Sequence, residues 1–259
     1  MAKPTVVLVP GAWHDEYAYH KLVPDLERRG YATLAVRNPS LGQSTREGLI
    51  EEDAAHLRTV VDRLLADGKE VIVVAHSYAG SVLSSALADY AWKEGENGHV
   101  LGLVYIAAFL LPEGKNLASI MFPPDGRNIP SKADENGFKP QPDPYIFYND
   151  LPESEQQDLV KHLHPNPANA DKLPGHGVPW KNIPTIYIKC LRDLMLPPYA
   201  QQAMLDAVDA GERLRVLELD ASHSPMLSIP ERVSDAVALV EGLGREGVER
   251  GGLLSRFER

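Results

Sequence analysis

Six short apolar runs punctuate the chain: Thr5–Val9, Ala32–Val36, Val71–Ala75, Val100–Ala107, Thr185–Cys190 and Leu214–Leu219. Runs of this length, rich in β-branched residues, read as strands, and Val71-Ile72-Val73-Val74 reads as one buried on both faces. The segments between them carry apolar residues three and four apart, which is helical spacing. The first such segment ends near Arg29 and stops at Gly30, and Pro24 inside it predicts a kinked or two-part helix. A longer helix carried by Leu57, Val60, Val61, Leu64 and Leu65 runs to about Asp67 and stops at Gly68. From Ser77 to about Trp92 the spacing recurs at Val82, Leu83, Ala86, Leu87, Tyr90 and Ala91. Helices around Pro198–Ala210 and from Pro230 to about Leu243 complete the series. Strands alternating with helices predict an α/β fold, a mostly parallel sheet of about six strands covered on both faces.

The alternation breaks between about Leu111 and Trp180. Twelve of the chain's 21 prolines lie from Pro112 to Pro179, and no clear strand is seen there. Aromatic and apolar groups occur in irregular order: Met121, Phe122, Phe138, Tyr145, Phe147 and Tyr148. One helix is expected from Pro152 to His162, capped by Asp150 or Asn149. So long a stretch without sheet periodicity is too long for an ordinary loop, and its aromatics argue against a floppy insertion. The organisation expected is a core of residues 1–107 and 183–245, an inserted cap or lid at 108–182, and a flexible tail at 246–259.

Bulk composition narrows the function classes. With 259 residues, 44% hydrophobic and 24% charged, the chain can bury the core of one sizeable domain. A formal net charge of −10 and the lack of any basic run exclude nucleic acid and anionic membrane surfaces as expected partners. The single cysteine, Cys190, excludes an intrachain disulfide and reads as inert strand packing. The N-terminus lacks a signal-peptide h-region and no segment approaches the length of a membrane span, so a cytoplasmic protein is the expectation.

The chemistry is concentrated where strands end. Ser77, in VIVVAHSYAG, follows the third run directly and opens a helix. Small neighbours, Ala75, Ala79 and Gly80, leave room for a sharp strand-to-helix turn, which lifts a serine hydroxyl out of a sheet and places it at a helix N-terminus. The bland alternative is that Ser77 merely caps the helix. A serine nucleophile also needs a base, an acid to orient it and donors for an oxyanion. His223, in LDASHSPML, follows the last run, and Asp193, in KCLRDLMLPP, follows the one before it. Asp220 is the rival acid, but three residues from His223 it is too close to reach the far ring nitrogen easily. A backbone N–H of Ala12 or Trp13, after the first run, could join that of Tyr78 as oxyanion donors. Among the nine histidines, His14, His20, His56, His76 and His99 have no evident acidic partner. The spacings of His162, His164 and His176 fit no ligand pattern, so no metal and no other cofactor is expected.

In the order Ser77, Asp193, His223 the chain resembles the α/β-hydrolases, and within them the small branch of plant methylesterases and hydroxynitrile lyases. The resembling stretches are VVLVPGAWH with Tyr19 to Gly30, VIVVAHSYAGSVL, VYIAAFLLP, PTIYIKCLRD with Gln201 to Met204, and LDASHSPMLSIPE. Together they span most of residues 5–240. Bacterial and fungal relatives also carry a lid phrase like Phe147-Tyr148-Asn149-Asp150. The resemblance implies an α/β-hydrolase fold and a Ser77–Asp193–His223 triad. Two departures matter. Hydroxynitrile lyases of this branch carry Thr in the first oxyanion loop and Lys after the catalytic His, where this chain has Gly11 and Ser224. The missing cation and the space left by Gly11 favour hydrolysis.

The expectation is therefore a serine hydrolase of a small carboxylic ester or lactone, with Gly11, Trp13, Tyr78, Met121, Phe122, Phe147 and Tyr148 lining the substrate pocket. Two alternatives stay open: triad-dependent lyase or other cofactor-free chemistry, and a non-catalytic small-molecule receptor. Pairing with a second copy is also left open.

Overall fold

The computed structural model describes residues 2–44, 47–90, 98–117, 138–139, 141–167, 174, 176–209 and 211–254. Strands β1 (Thr5–Val9), β2 (Ala32–Ala35), β3 (Val71–His76), β4 (Val100–Ile106), β7 (Thr185–Cys190) and β8 (Leu214–Leu219) form one parallel sheet. Its order is β2-β1-β3-β4-β7-β8. The winding reverses between β1 and β3, and the carboxyl ends of strands at such a reversal are where open α/β sheets bind ligands.

Period-two alternation sends successive strand residues to opposite faces. Val7, Val9, Val71, Val73 and Tyr105 face α2 (Leu49–Ala66) and α3 (Ala79–Ala86), with Ala200 and Met204 of α6 (Pro198–Ala207) in the same cluster. Val6, Leu8, Ile72, Val74 and Ile106 face α1 (Leu22–Arg28) and α8 (Pro230–Leu254). Strands β3, β4 and β7 are buried along their whole length, which is why they read as unbroken apolar runs. The outer strands β2 and β8 are partly exposed. Among the described residues no helix is long and apolar enough to cross a membrane.

Within the insertion lie a two-stranded antiparallel ribbon, β5 (Phe138–Lys139) with β6 (Asn166–Pro167), and two short helices, α4 (Pro144–Tyr148) and α5 (Glu153–Val160). A short α7 (Pro225–Ser228) follows the last strand.

Several expectations need correction. The Pro24 region is indeed two-part, a 3-10 turn at Glu16–Tyr19 followed by α1, with the proline in the first helical turn where its missing N–H costs nothing. Helix α3 stops at Ala86, well short of Trp92. The last helix does not end near Leu243 but runs to Leu254, through much of the segment expected to be a flexible tail. Neither Asn149 nor Asp150 caps α5; its N-cap is Pro152, with no side-chain cap bond. Both side chains are turned elsewhere, as described below.

Gly80 shows how tightly the third strand turn packs. A Cβ at this position would overlap the carbonyl oxygen of Phe109 and lie 2.8 Å from the Phe109 nitrogen and 3.0 Å from Ala108 Cβ. The small residue demanded by this turn thus stands at position 80, because the chain leaving β4 crosses there. Gly80→Ala should cost about 2 kcal/mol by overpacking, read as a lower urea midpoint. A loss under roughly 0.5 kcal/mol would mean that the crossing yields easily.

Candidate active site

Register places the functional loops beside one another. Val9 pairs with Ala75, so the residues just past β1 meet those just past β3. Cys190 pairs with Leu219, so the segments bearing Asp193 and His223 leave the sheet side by side. Ser77, Asp193 and His223 are 7%, 2% and 1% exposed.

Ser77 has φ 56°, a left-handed backbone that side-chain-bearing residues rarely adopt. Three backbone bonds hold it there. Its N–H donates to Ile106 O at 3.1 Å, and its carbonyl accepts from Gly80 N–H at 3.0 Å and Phe109 N–H at 2.9 Å. Gly11 closes over the turn: a Cβ there would lie 2.9 Å from Ser77 Cβ. Glycine is required at position 11 because the two loops touch.

The expected acid and base are joined directly. His223 Nδ1 and Asp193 Oδ2 lie 2.7 Å apart, both side chains buried. Asp193 Oδ1 accepts from the N–H groups of Met195 and Leu196, each at 2.8 Å, and Oδ2 also accepts from Gln201 Nε2 at 3.2 Å. This shell fixes the position and rotamer of the side chain, with both of its oxygens engaged as acceptors. The carboxylate oxygen accepts, so His223 carries a proton on Nδ1 and turns Nε2 away from Asp193. Asp220, the rival acid, instead pairs with Arg192 at 3.0 Å on the surface.

Next to Ser77, His76 Nε2 lies 2.8 Å from the carbonyl of His223, and the two rings are 4.6 Å apart. A carbonyl only accepts, so His76 carries its proton on Nε2. The residue before Ser77 thereby anchors the backbone of His223.

The loop after β1 is pinned at each carbonyl from Pro10 to Trp13. Asn38 Nδ2 donates to Pro10 O (2.9 Å), His14 N–H to Gly11 O (3.2 Å), His14 Nδ1 to Ala12 O (2.7 Å) and His164 N–H to Trp13 O (2.8 Å). With Nδ1 donating, His14 Nε2 accepts from the Tyr148 hydroxyl at 2.8 Å. The Trp13 N–H, expected as an alternative oxyanion donor, is directed at Asn166 Oδ1, 3.3 Å away. That leaves Ala12, with Tyr78, as the backbone pair to consider.

Among the expected pocket residues, Phe147 is placed most suggestively. Its ring lies 6.0 Å from that of His223, 5.7 Å from Trp13 and 5.1 Å from His14. Tyr148 is buried with its hydroxyl on His14. The Tyr78 side chain belongs to the core instead of a pocket wall: its ring packs in the α2–α3 cluster and its hydroxyl donates to Asp53 Oδ2 at 2.9 Å. Met121 and Phe122 lie outside the described residues.

Sequence reasoning missed four supporting side chains: Gln201, Asn166, His14 and Asp53. Asp53 left a signal, since Leu49, Ile50, Asp53, Ala54 and Leu57 share the buried face of α2. Burial raises its pKa, against hydrogen bonds from Ser40 and Tyr78. The remaining lid histidines go separate ways: His162 stacks on Tyr17, His164 pairs with Asp15 at 2.7 Å, and His176 stands 3.9 Å from Glu51 and 3.7 Å from Glu113.

Comparison with known proteins gives the family. The model of the alpha/beta hydrolase family matches residues 6–236. The chain belongs to that family. It is 26% identical to the alpha/beta hydrolase nvfD of Aspergillus novofumigatus, over 96% of this chain and all of the relative. It is 29% identical to a pyrethroid hydrolase of Sphingobium wenxiniae, over 92% of this chain and 88% of that protein. Methylesterase 1 of Arabidopsis thaliana is 24% identical, over 90% and 94%. A crystal structure of a pyrethroid hydrolase from Sphingobium faniae superposes with a TM-score of 0.69 at 23% identity, covering 95% of this chain and all of the other. The expected fold and family branch are both met, and hydrolase is the activity class that these relatives' names carry.

The buried histidines make stability depend on pH. Burial pushes His14 down to about 4 from an ordinary 6.5 and, helped by the nearby His223 and His14 rings, holds His76 well below 6.5. With the folded pKa depressed, the unfolded chain binds protons first, so stability is full above pH 6.5 and falls as pH drops toward 4. His14 alone should remove about 2 kcal/mol between pH 7 and 5, measured as the urea-unfolding free energy at each pH. A flat profile over that range would contradict the burial of these rings.

Proposed function

We propose that the protein hydrolyses small carboxylic esters or lactones through an acyl-enzyme on Ser77. The observation that carries this reading is the buried Asp193–His223 pair, anchored by His76, the residue that precedes a strained serine. Asp193 holds the imaginable tautomers to one, in which His223 Nε2 is free to take a proton. In the proposed reaction, Ser77 Oγ attacks the substrate carbonyl carbon as His223 Nε2 removes the hydroxyl proton. Asp193 stabilises the imidazolium that results. The carbonyl oxygen becomes an oxyanion, received by the N–H groups of Ala12 and Tyr78. His223 then protonates the departing alkoxide, and the acyl group stays on Ser77. Water, deprotonated by the same imidazole, hydrolyses that ester and restores the serine. No cofactor enters these steps.

Phe147 and Trp13 at the base make an aromatic or largely apolar substrate the better match. The names of the relatives, a pyrethroid hydrolase and methylesterases, point the same way. Lyase chemistry finds less support, since the residue after His223 is the buried Ser224 and supplies no cation for a leaving anion.

Labelling with a fluorophosphonate, read by intact mass, together with turnover of short p-nitrophenyl esters, tests the proposal. Wild type should take up one equivalent and turn over ester, and Ser77→Ala should lose both, with kcat down on the order of 10⁵-fold or more. Equal labelling or turnover in the variant would overturn it. Asp193→Asn should keep the fold and lose on the order of 10⁴ in kcat, because the amide favours the wrong imidazole tautomer. Activity within tenfold of wild type would show that another group orients His223.

A further inference from the structure

Two consecutive side chains of the insertion each grip the residue immediately before a member of the Asp193–His223 pair. Asn149 Nδ2 donates to the carbonyl of Arg192 at 3.0 Å. Asp150 Oδ2 accepts from the N–H of Ser222 at 2.8 Å. Phe147, two residues earlier, adds a third tie, its carbonyl accepting from Ser222 Oγ at 3.1 Å. That hydroxyl in turn accepts from Ser224 N–H at 3.3 Å, so both chain neighbours of His223 are bound into one array. Arg192 N–H donates to Ala221 O at 2.9 Å, linking the acid and base loops to each other.

We infer that Asn149 and Asp150 are positioning residues for the Asp193–His223 pair, with Asp150 the principal one; the link to ester turnover rests on the hydrolase reading above. Local rules assign both residues to capping α5, and they cap nothing there. Asp150 is moreover held at a cost. Its Oδ1 is buried and has no hydrogen-bond partner among the described residues. A half-satisfied buried carboxylate destabilises a fold relative to a well-packed apolar group. What the carboxylate provides is an acceptor for an amide that no neighbouring strand reaches, one residue from the catalytic base. A loop past the end of a strand has freedom to drift, and a drift of about 1 Å in a catalytic base can cost on the order of 10²-fold in rate. The insertion on this view is a brace for the triad, whatever it does for substrate entry.

The test uses the full-length protein and two readouts. One is the low-field NMR resonance of the His223 Nδ1 proton shared with Asp193, which reports the pair without any substrate. The other is kcat and KM for p-nitrophenyl acetate. Asp150→Ala should broaden or lose the resonance and lower kcat roughly 10–100-fold, with KM within about twofold. Asp150→Asn keeps an acceptor oxygen for Ser222 N–H, so it should retain the resonance and a kcat within about threefold of wild type. A merely structural Asp150 would not give this rescue. If Asp150→Ala fails to fold, Asn149→Ala, at a more exposed bond, should still lower kcat about threefold to tenfold at unchanged stability. An unaltered resonance in Asp150→Ala, loss in Asp150→Asn as deep as in Asp150→Ala, or a wild-type kcat in Asn149→Ala would each overturn the inference. A resonance lost in Asp150→Ala while wild-type Ser77 takes no fluorophosphonate would uphold the positioning role and reject the hydrolase reading.

Discussion

The site depends on one backbone constraint, the left-handed conformation of Ser77. A side-chain-bearing residue in this region costs about 1–2 kcal/mol, so something must hold it. Here the holding is done by β4, through Ile106 O below and Phe109 N–H beyond, and by the first turn of α3 through Gly80 N–H. Each of these partners demands something of its own surroundings. Phe109 can approach only because position 80 is glycine, and the β1 loop can close over the turn only because position 11 is glycine. Ala107, with φ 40°, bends the chain leaving β4 to make the approach. Strands β3, β4 and β7 are buried end to end, and the register of β3 on β4 delivers these atoms.

Around that turn the polar groups are tied to one another as hydrogen-bond donors and acceptors. Burial keeps His14 and His76 unprotonated, so each has a fixed tautomer: His14 relays between Ala12 O and the Tyr148 hydroxyl, and His76 donates from Nε2 to His223 O. His14 ties the β1 loop to Tyr148 of the insertion, and Asn166 ties it to the ribbon. Asn149 and Asp150 tie the same insertion to the acid and base loops. The insertion therefore reaches three of the four segments that carry the site, all but the Ser77 turn itself.

Much of this was legible from the chain because it is written in local patterns. Strands β1 and β7 are bounded as the apolar runs bound them, since a buried parallel strand needs continuous apolar side chains. The Ser77 turn showed itself through Ala75, Ala79 and Gly80, and the order of Ser77, Asp193 and His223 followed from strand ends. Polar contacts between distant segments have no such period. Gln201 sits on a helix whose pattern says only that it is buried, and its partners Cys190, Asp193 and Leu196 come from the fold. Asn149 and Asp150 were misassigned for a definite reason: a polar residue just before a helix is usually its cap, and here tertiary partners outcompeted the local ones. Tyr78 reads as an aromatic wall in the sequence, whereas its ring packs in the core and its hydroxyl serves Asp53.

The central claim is that a serine held in this turn reacts and that its oxyanion is received by the Ala12 and Tyr78 amides. A crystal structure of the protein after reaction with a fluorophosphonate tests it most directly. The account predicts phosphorus bonded to Ser77 Oγ, with the phosphoryl oxygen about 2.7–3.1 Å from both nitrogens. Phosphorus on another side chain, or a phosphoryl oxygen turned away from both amides, would contradict it.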